Sequence, residues 1–335
     1  MPELTVGIDT SALALTRAGT ARYLTGLLGE LELDDALELR RYHFGGDGRP
    51  ARIARDLGWY LAALPVWARR DGVDVLHCPT FRAPVRSPLP LVVTVHDLAV
   101  LRHPEAFNRW TRSYSALTLP LVARAARAMI AVSEFTKSEV VELLGAPPDR
   151  VHVVGHGVGP PFVPDGRAAE GNYVLAVSTL EPRKNLARLL EGFRRAGLDG
   201  TELRVVGAQG WGDVRVEGEG VRWLGEVGDE ELARLYRGAR CLAYVSLYEG
   251  FGLPILEAMA CGTPVVTTAW GACAEVAGEA AVLVDALDPA AIGAGLVEAV
   301  SRRDELVAKG QERAREFTWA QAAQATAGVY RKVAA

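Results

Sequence analysis

Short runs dense in Val, Ile and Leu recur along the chain, separated by longer stretches whose apolar residues return every three or four positions. "LTVGID" (Leu4 to Asp9), "LELRRYHF", "DVLHC", "LVVTVHD", "AMIAVS" and "VHVVG" carry the first pattern and are predicted strands. Helical periods fill most of the gaps between them. In "SEFTKSEVVELLG", Ser133 is placed to cap the start and Gly145 to stop the end. Buried strands alternating with helices imply a parallel sheet covered on both faces.

The stretch Gly157 to Gly171, "GVGPPFVPDGRAAEG", breaks this rhythm with prolines and glycines and reads as a linker. The rhythm then restarts with "NYVLAVS", "TELRVVGA", "VRWLGEV", "CLAYVS", "TPVVTT" and "AAVLVD". Asn185 is predicted to cap "LARLLEGFRRA", where Leu186, Leu189, Leu190 and Phe193 share one face, and Asp229 to cap "EELARLYRGA". The expected fold is α/β, with two doubly wound Rossmann-like domains facing each other across a ligand cleft. Their expected bounds are residues 1–160 and 161–318, with a last helix, 319–335, returning to the first domain.

Composition narrows this little. The 335 residues are 49% apolar and 23% charged, which excludes a disordered chain. A formal charge of −4 gives no case for nucleic acid as a partner. The four cysteines, Cys78, Cys241, Cys261 and Cys273, show no CxxC spacing and are expected as buried free thiols in a reducing cytoplasm. No uncharged apolar run reaches membrane-spanning length, and "MPELTVGID" reads as a strand rather than an export signal, so a cytoplasmic location is expected.

The chemistry concentrates in Leu247 to Thr268, "LYEGFGLPILEAMACGTPVVTT". Pro254 suits the first position of a helix and Gly262 its stop, so the amides near Gly250 to Leu253 would point at an anion. Glu249 and Glu257 flank that loop. They could simply be an exposed charge and a charge complementing a helix dipole. Carboxylates aimed at a phosphate would repel it, but carboxylates reaching past it could each accept bonds from a diol. That spacing describes a phosphate with a polyol at each end. "STLEPRKNL", Ser178 to Leu186, sets Arg183 and Lys184 just before a helix, where they would suit a diphosphate; a solvated basic loop is the plainer alternative. A dinucleotide-binding dehydrogenase shares the architecture, but Ile255 stands where its third glycine would be.

At these residues the chain resembles the retaining glycosyltransferases of the family-four type, which have the GT-B fold. "EGFGLPILEAMACGTPVV" looks like that family's Glu–seven–Glu motif, and "EPRKNL", "TVHDLAVLRHPE", "AVSEFTKSEV" and "FTW" resemble its other blocks, so the likeness covers nearly the whole chain. The resemblance implies that Glu249 contacts donor-sugar hydroxyls near the reacting centre and Glu257 holds the ribose diol. It implies that Lys184, with Arg183, neutralises the diphosphate and that amides of Gly250, Phe251, Gly252 and Leu253 bind the distal phosphate. The base would rest near the backbone of Val227. His96, ending a strand and followed by Asp97, would face the donor sugar, although a lone histidine there is commonly structural. His77, ending a neighbouring strand, and Asp97 are candidates for the acceptor side. Gly19 matches a loop that lets the diphosphate approach the first helix. Two departures appear: Val177-Ser178 replaces Gly-Arg, leaving more charge neutralisation to Arg183 and Lys184, and Ala18-Gly19-Thr20 replaces a double glycine.

The resemblance thus implies hexose transfer from a nucleotide-diphosphate sugar to a glycan, glycolipid or natural-product acceptor, with retention and without a metal cofactor. "TVHDLAVLRHPE" tilts the donor toward GDP-mannose. A GT-B epimerase or phosphorylase, or a non-catalytic sugar-binding protein, are the alternatives. On the acceptor side, residues 40–127 hold 14 arginines, no lysines and 6 acidic residues. "RIARDLGWYLAALPVWARR" and "NRWTRSYSALTLPLVARAARA" mix those arginines with tryptophan and tyrosine. Such helices could lie on an anionic membrane surface, peripheral to its inner face, or meet a lipid-linked acceptor; amphipathic helices with a solvated basic face are the alternative.

Overall fold

The computed structural model of the chain describes residues 2–15, 19–46, 48–210, 212, 214 and 216–335. The backbone divides into two compact units, residues 1–157 with 319–335, and residues 158–318.

The first unit carries β1 (Leu4–Asp9), β2 (Leu37–Tyr42), β3 (Val75–Cys78), β4 (Leu91–Val95), β5 (Ala128–Ala131) and β6 (Val151–Val153). They form one parallel sheet in the order β2-β1-β3-β4-β5-β6. Adjacent residues in one strand serve opposite cores. Val93 joins Leu64, Leu91, Leu119 and Met129 on one face, while Val92 joins Ile8, Tyr23, Leu27 and Tyr330 on the other. That is why these strands read as continuous apolar runs rather than alternating ones. The terminal helix Trp319–Ala334 lies close enough to the helix Gly19–Leu31 that a Cβ on Gly26 would meet the Trp319 ring at 2.3 Å.

The second unit repeats the plan with β7 (Tyr173–Val177), β8 (Glu202–Val206), β9 (Val221–Gly225), β10 (Leu242–Tyr244), β11 (Val265–Thr268) and β12 (Val282–Val284), all parallel, in the order β12-β11-β10-β7-β8-β9. In each sheet the order reverses beside the first strand, between β1 and β3 and between β7 and β10. Ligands of doubly wound sheets bind beyond the strand C-termini at such a reversal.

Local signals behave unevenly. Ser133 caps its helix by accepting the Thr136 amide at 3.0 Å, and Gly145 ends it with φ of 63°. Asn185 does not act as a side-chain cap. It takes a left-handed conformation, φ 61°, and its amide donates to Val245 O at 3.1 Å and Ala286 O at 2.7 Å. Tertiary hydrogen bonds outcompete the local one. Asp229 is the first helical residue after Gly228 rather than the cap, so it contributes charge to the first turn.

The basic aromatic segment is also not one regular helix. A π-helix, Ala54–Ala63, is inserted between the α-helical turns Gly48–Ile53 and Leu64–Arg70. The buried pairs Arg55/Asp56, Trp59/Tyr60 and Leu64/Pro65 return at intervals of four and five residues. Only a wider winding than 3.6 residues per turn keeps them on one face.

Candidate active site

In the second unit the loop after β7 meets the loop after β10. Leu247 N donates to Arg183 O at 2.9 Å, and Asn185 ties the same loop to Val245. This brings together residues that lie far apart in sequence. Lys184 Nζ donates to Glu249 Oε1 at 2.5 Å. Arg183 lies 3.7 Å from Glu249 Oε2 and donates to Glu181 Oε1 at 2.8 Å and to Tyr248 O at 2.9 Å. All three side chains are largely withdrawn from solvent. Burial alone would push the Glu249 carboxyl up. The charges of Lys184 and Arg183, with hydrogen bonds from Lys184 and Ser246, outweigh it and hold the group below its ordinary value. Glu249 is therefore ionised at neutral pH, and both cations stand beside carboxylates.

Gly250 to Gly252 form the turn before the helix Leu253–Ala260, with Gly252 at φ 104° and Pro254 in the first helical turn. Glycine is required at Gly252 because L-residues rarely adopt that conformation. No side chain caps this helix start, but Pro254 has no N–H and Ile255 N donates back to Gly252 O at 2.9 Å, so an anion here would meet the amides of Gly252 and Leu253. Phe251 and Leu253 are buried. Glu257, on the same helix, is fully buried and accepts a 3.0 Å bond from Tyr236 Oη. No local pattern in the sequence signals Tyr236 as its partner. Ser178 follows β7; its Oγ is enclosed and makes no hydrogen bond among the described residues. The backbone there is pressed against the end of β8, where a Cβ on Gly207 would meet Ser178 O at 2.0 Å. Val227 lies half-buried between β9 and the helix Asp229–Gly238.

In the first unit, His96 directly follows β4 and donates from Nε2 to Pro79 O at 3.0 Å. Its ring meets Tyr23 edge-on at 4.7 Å and His156 at 5.4 Å. Burial lowers its pKa, so it is neutral with Nδ1 left as an acceptor. Asp97 accepts the Ala99 amide at 2.9 Å and so opens the short helix Ala99–Arg102. His77 is not an acceptor-side residue. It is fully buried, with Nδ1 2.6 Å from Tyr330 Oη and Nε2 2.9 Å from Thr94 Oγ1, so both ring nitrogens are spent inside the core. Gly19 begins its helix exposed, and a Cβ there would meet nothing within 4 Å. Ala18, before it, lies outside the described residues.

Residues 8–160 match the family described as Glycosyltransferase Family 4, and residues 171–302 the family described as Glycosyl transferases group 1. The O-antigen chain mannosyltransferase B of Escherichia coli is 34% identical over 292 residues, covering 79% of this chain and 76% of that protein. The chain belongs to the family-four glycosyltransferases. A second relative, MMP alpha-(1->4)-mannosyltransferase of Mycolicibacterium hassiacum, is 31% identical over 310 residues, 82% of this chain and 74% of that one. Sucrose-phosphate synthase from Thermosynechococcus elongatus superposes with a TM-score of 0.78 at 18% identity, covering 98% of this chain and 99% of that one. The Anabaena protein HepE, solved with UDP-glucose, superposes with a TM-score of 0.74 at 18% identity over 98% of this chain and all of that one. This glycosyltransferase thus has the GT-B fold.

Proposed function

We propose that the enzyme transfers a mannosyl group from GDP-mannose to a glycan or lipid-linked acceptor with retention at the anomeric carbon. The observation that carries the chemistry is the buried contact of Lys184 with Glu249. In the free enzyme each cation is answered by a carboxylate, Lys184 by Glu249 and Arg183 by Glu181. A donor diphosphate changes this balance. Lys184 turns to the phosphate oxygens, and Glu249 is released to accept bonds from sugar hydroxyls. The amides of the turn Gly250 to Leu253 meet the distal phosphate, and Glu257, steadied by Tyr236, meets the ribose diol. Val227 lies along the base, and Gly19 leaves room for the diphosphate at its helix start.

In the reacting step the bond from the anomeric carbon to the phosphate oxygen breaks. The acceptor oxygen bonds to the same face of that carbon, and its proton passes to the departing phosphate oxygen. Lys184 and Arg183 stabilise the charge that develops there, a preorganised electrostatic role that asks for no metal cofactor. Neutral His96 accepts a hydrogen bond from a sugar hydroxyl through Nδ1. The mannosyl assignment is supported by the names of two relatives, the O-antigen chain and MMP mannosyltransferases.

Thermal shifts with GDP, UDP and dTDP, together with slow hydrolysis of GDP-mannose with and without EDTA, test this reading. GDP should stabilise most, and EDTA should leave hydrolysis unchanged. Binding of no nucleoside diphosphate, and hydrolysis of no nucleotide sugar, would sink it.

A further inference from the structure

Arg55, on the π-helix of the first unit, is 6% exposed, yet its guanidinium makes no hydrogen bond among the described residues. Its Nε is enclosed without a partner, and the ion pair it makes is long, 3.9 Å to Asp56 Oδ1. A buried guanidinium left this way is costly unless something else meets its charge. Asp56 cannot do so alone. That carboxylate is fully buried and already takes Arg82 Nη1 on Oδ1 and Trp110 Nε1, at 2.9 Å, on Oδ2. Two guanidiniums share one carboxylate, so the cluster holds one excess positive charge.

The acidic group at the end of β1, whose partners Trp59 and Tyr60 lie on the same π-helix, is Asp9. Its oxygens are spent on Ser11 Oγ at 2.5 Å, Tyr60 Oη at 2.9 Å and Trp59 Nε1 at 3.4 Å, and it forms no ion pair among the described residues. The cluster is rigidly held. Tyr114 Oη donates to Asp56 O at 3.1 Å, the Trp110 and Tyr114 rings stack at 6.2 Å, and Arg82 lies over the Tyr114 ring. It also reaches solvent, through Arg82, 17% exposed at its side chain, and Trp110, 36% exposed. Arg82 sits in the loop that follows β3, beyond the strand C-termini beside the point where the strand order reverses.

We propose that Arg55 and Arg82 bound a subsite for a phosphate group carried by the acceptor. The inference rests on the reading that the first unit receives the acceptor. Donors from two separate guanidiniums suit a tetrahedral phosphate, whereas a planar carboxylate is satisfied by a single fork. The π-helix is what puts Arg55 here, because an α-helical winding would turn it off the face shared with Trp59 and Leu64.

Calorimetric titration of the full chain with glycerol 3-phosphate and with inorganic phosphate tests the proposal. The ester should bind the wild type more tightly than the free ion. Arg55→Gln should weaken ester binding by about tenfold or more, and Arg55→Lys by less, as expected for charge-assisted hydrogen bonds. Without ligand, Arg55→Gln should unfold at or above the wild-type temperature, because an uncompensated buried charge has gone. Equal ester affinity in wild type and Arg55→Gln overturns the site, and inorganic phosphate binding as tightly as the ester overturns its assignment to the acceptor. GDP binding to the wild type is measured in parallel. Its failure with ester binding intact removes the donor reading alone, and the reverse removes only the subsite.

Discussion

Lys184 Nζ and Glu249 Oε1 lie 2.5 Å apart across 65 positions of chain, on loops that follow neighbouring strands of one sheet. The pair neutralises two buried charges before any donor arrives. It also holds Glu249 ionised, where an isolated buried carboxyl would tend to take up a proton.

Breaking this pair from one side should therefore cost stability as well as activity. Lys184→Ala leaves Glu249 enclosed without its main counter-charge, a loss of roughly 3 kcal/mol. Glu249→Gln keeps shape and should lower turnover by about a hundredfold or more with the fold intact. Denaturation midpoints and donor turnover check both. The double variant Lys184→Ala, Glu249→Gln should be less destabilised than the two single changes added together.

Tyr236 gives access to Glu257 without touching the carboxylate. If the Tyr236 hydroxyl steadies Glu257 for a ribose diol, Tyr236→Phe should raise the donor KM by about fivefold and leave kcat nearly unchanged. Steady-state kinetics separate the two parameters, and a fall in kcat alone would contradict the assigned role.

The buried histidines set an acid limit. Burial, with the nearby His96 charge, pushes His77 down to about 3, and His96 and His156 are lowered for the same first reason. The neutral rings stabilise the fold fully above the ordinary value of 6.5. As pH falls from 6.5 toward 3, the unfolded chain takes up protons that the folded chain refuses, so stability falls by about 1.4 kcal/mol per pH unit for His77 alone. Glu249, held below its ordinary 4.5, contributes fully above that value and loses its contribution as pH falls from 4.5 through the folded value and the carboxylate protonates. Urea midpoints between pH 7 and pH 5 should drop, and His77→Asn should flatten that slope.

The arginine-rich face of the first unit should bind anionic membranes. Leu57, Val66, Trp67, Leu117 and Leu121 are exposed large apolar side chains on the helices that carry these arginines, and residues 57–70 and 107–127 contain no acidic residue. No helix of the described residues is long and apolar enough to cross a membrane, so the expected mode is interfacial. Vesicles of anionic lipid at low salt should carry the protein up in flotation. Replacing Trp67 and Leu117 with serine should reduce this about tenfold, and failure of the wild type to float would refute it.

Much of the architecture was legible because each strand announces itself locally. The runs around Val6, Val93, Val174 and Val266 are apolar on both faces, which only a doubly covered parallel sheet satisfies. Ser133 and Gly145 were legible for a similar reason, since a cap acts within four residues of itself. Asn185 was not, because its amide finds better partners in Val245 and Ala286 than in its own helix. His77 looked like a site residue because it ends a strand, but its partner Tyr330 arrives from the far end of the chain.

Periodicity and turn chemistry are short-range properties, so the two parallel sheets and the order of motifs are written in the chain itself. The sequence also set Arg183, Lys184 and Glu249 in loops that follow strands, and Glu257 on the helix after one of those loops. Tertiary structure decided which charges meet. It paired Lys184 with Glu249, gave Glu257 to Tyr236, buried His77 in the core, and left Arg55 without a full counter-charge beside Asp56. Electrostatic energy depends on distance and burial, and neither is written in the spacing of residues along a chain.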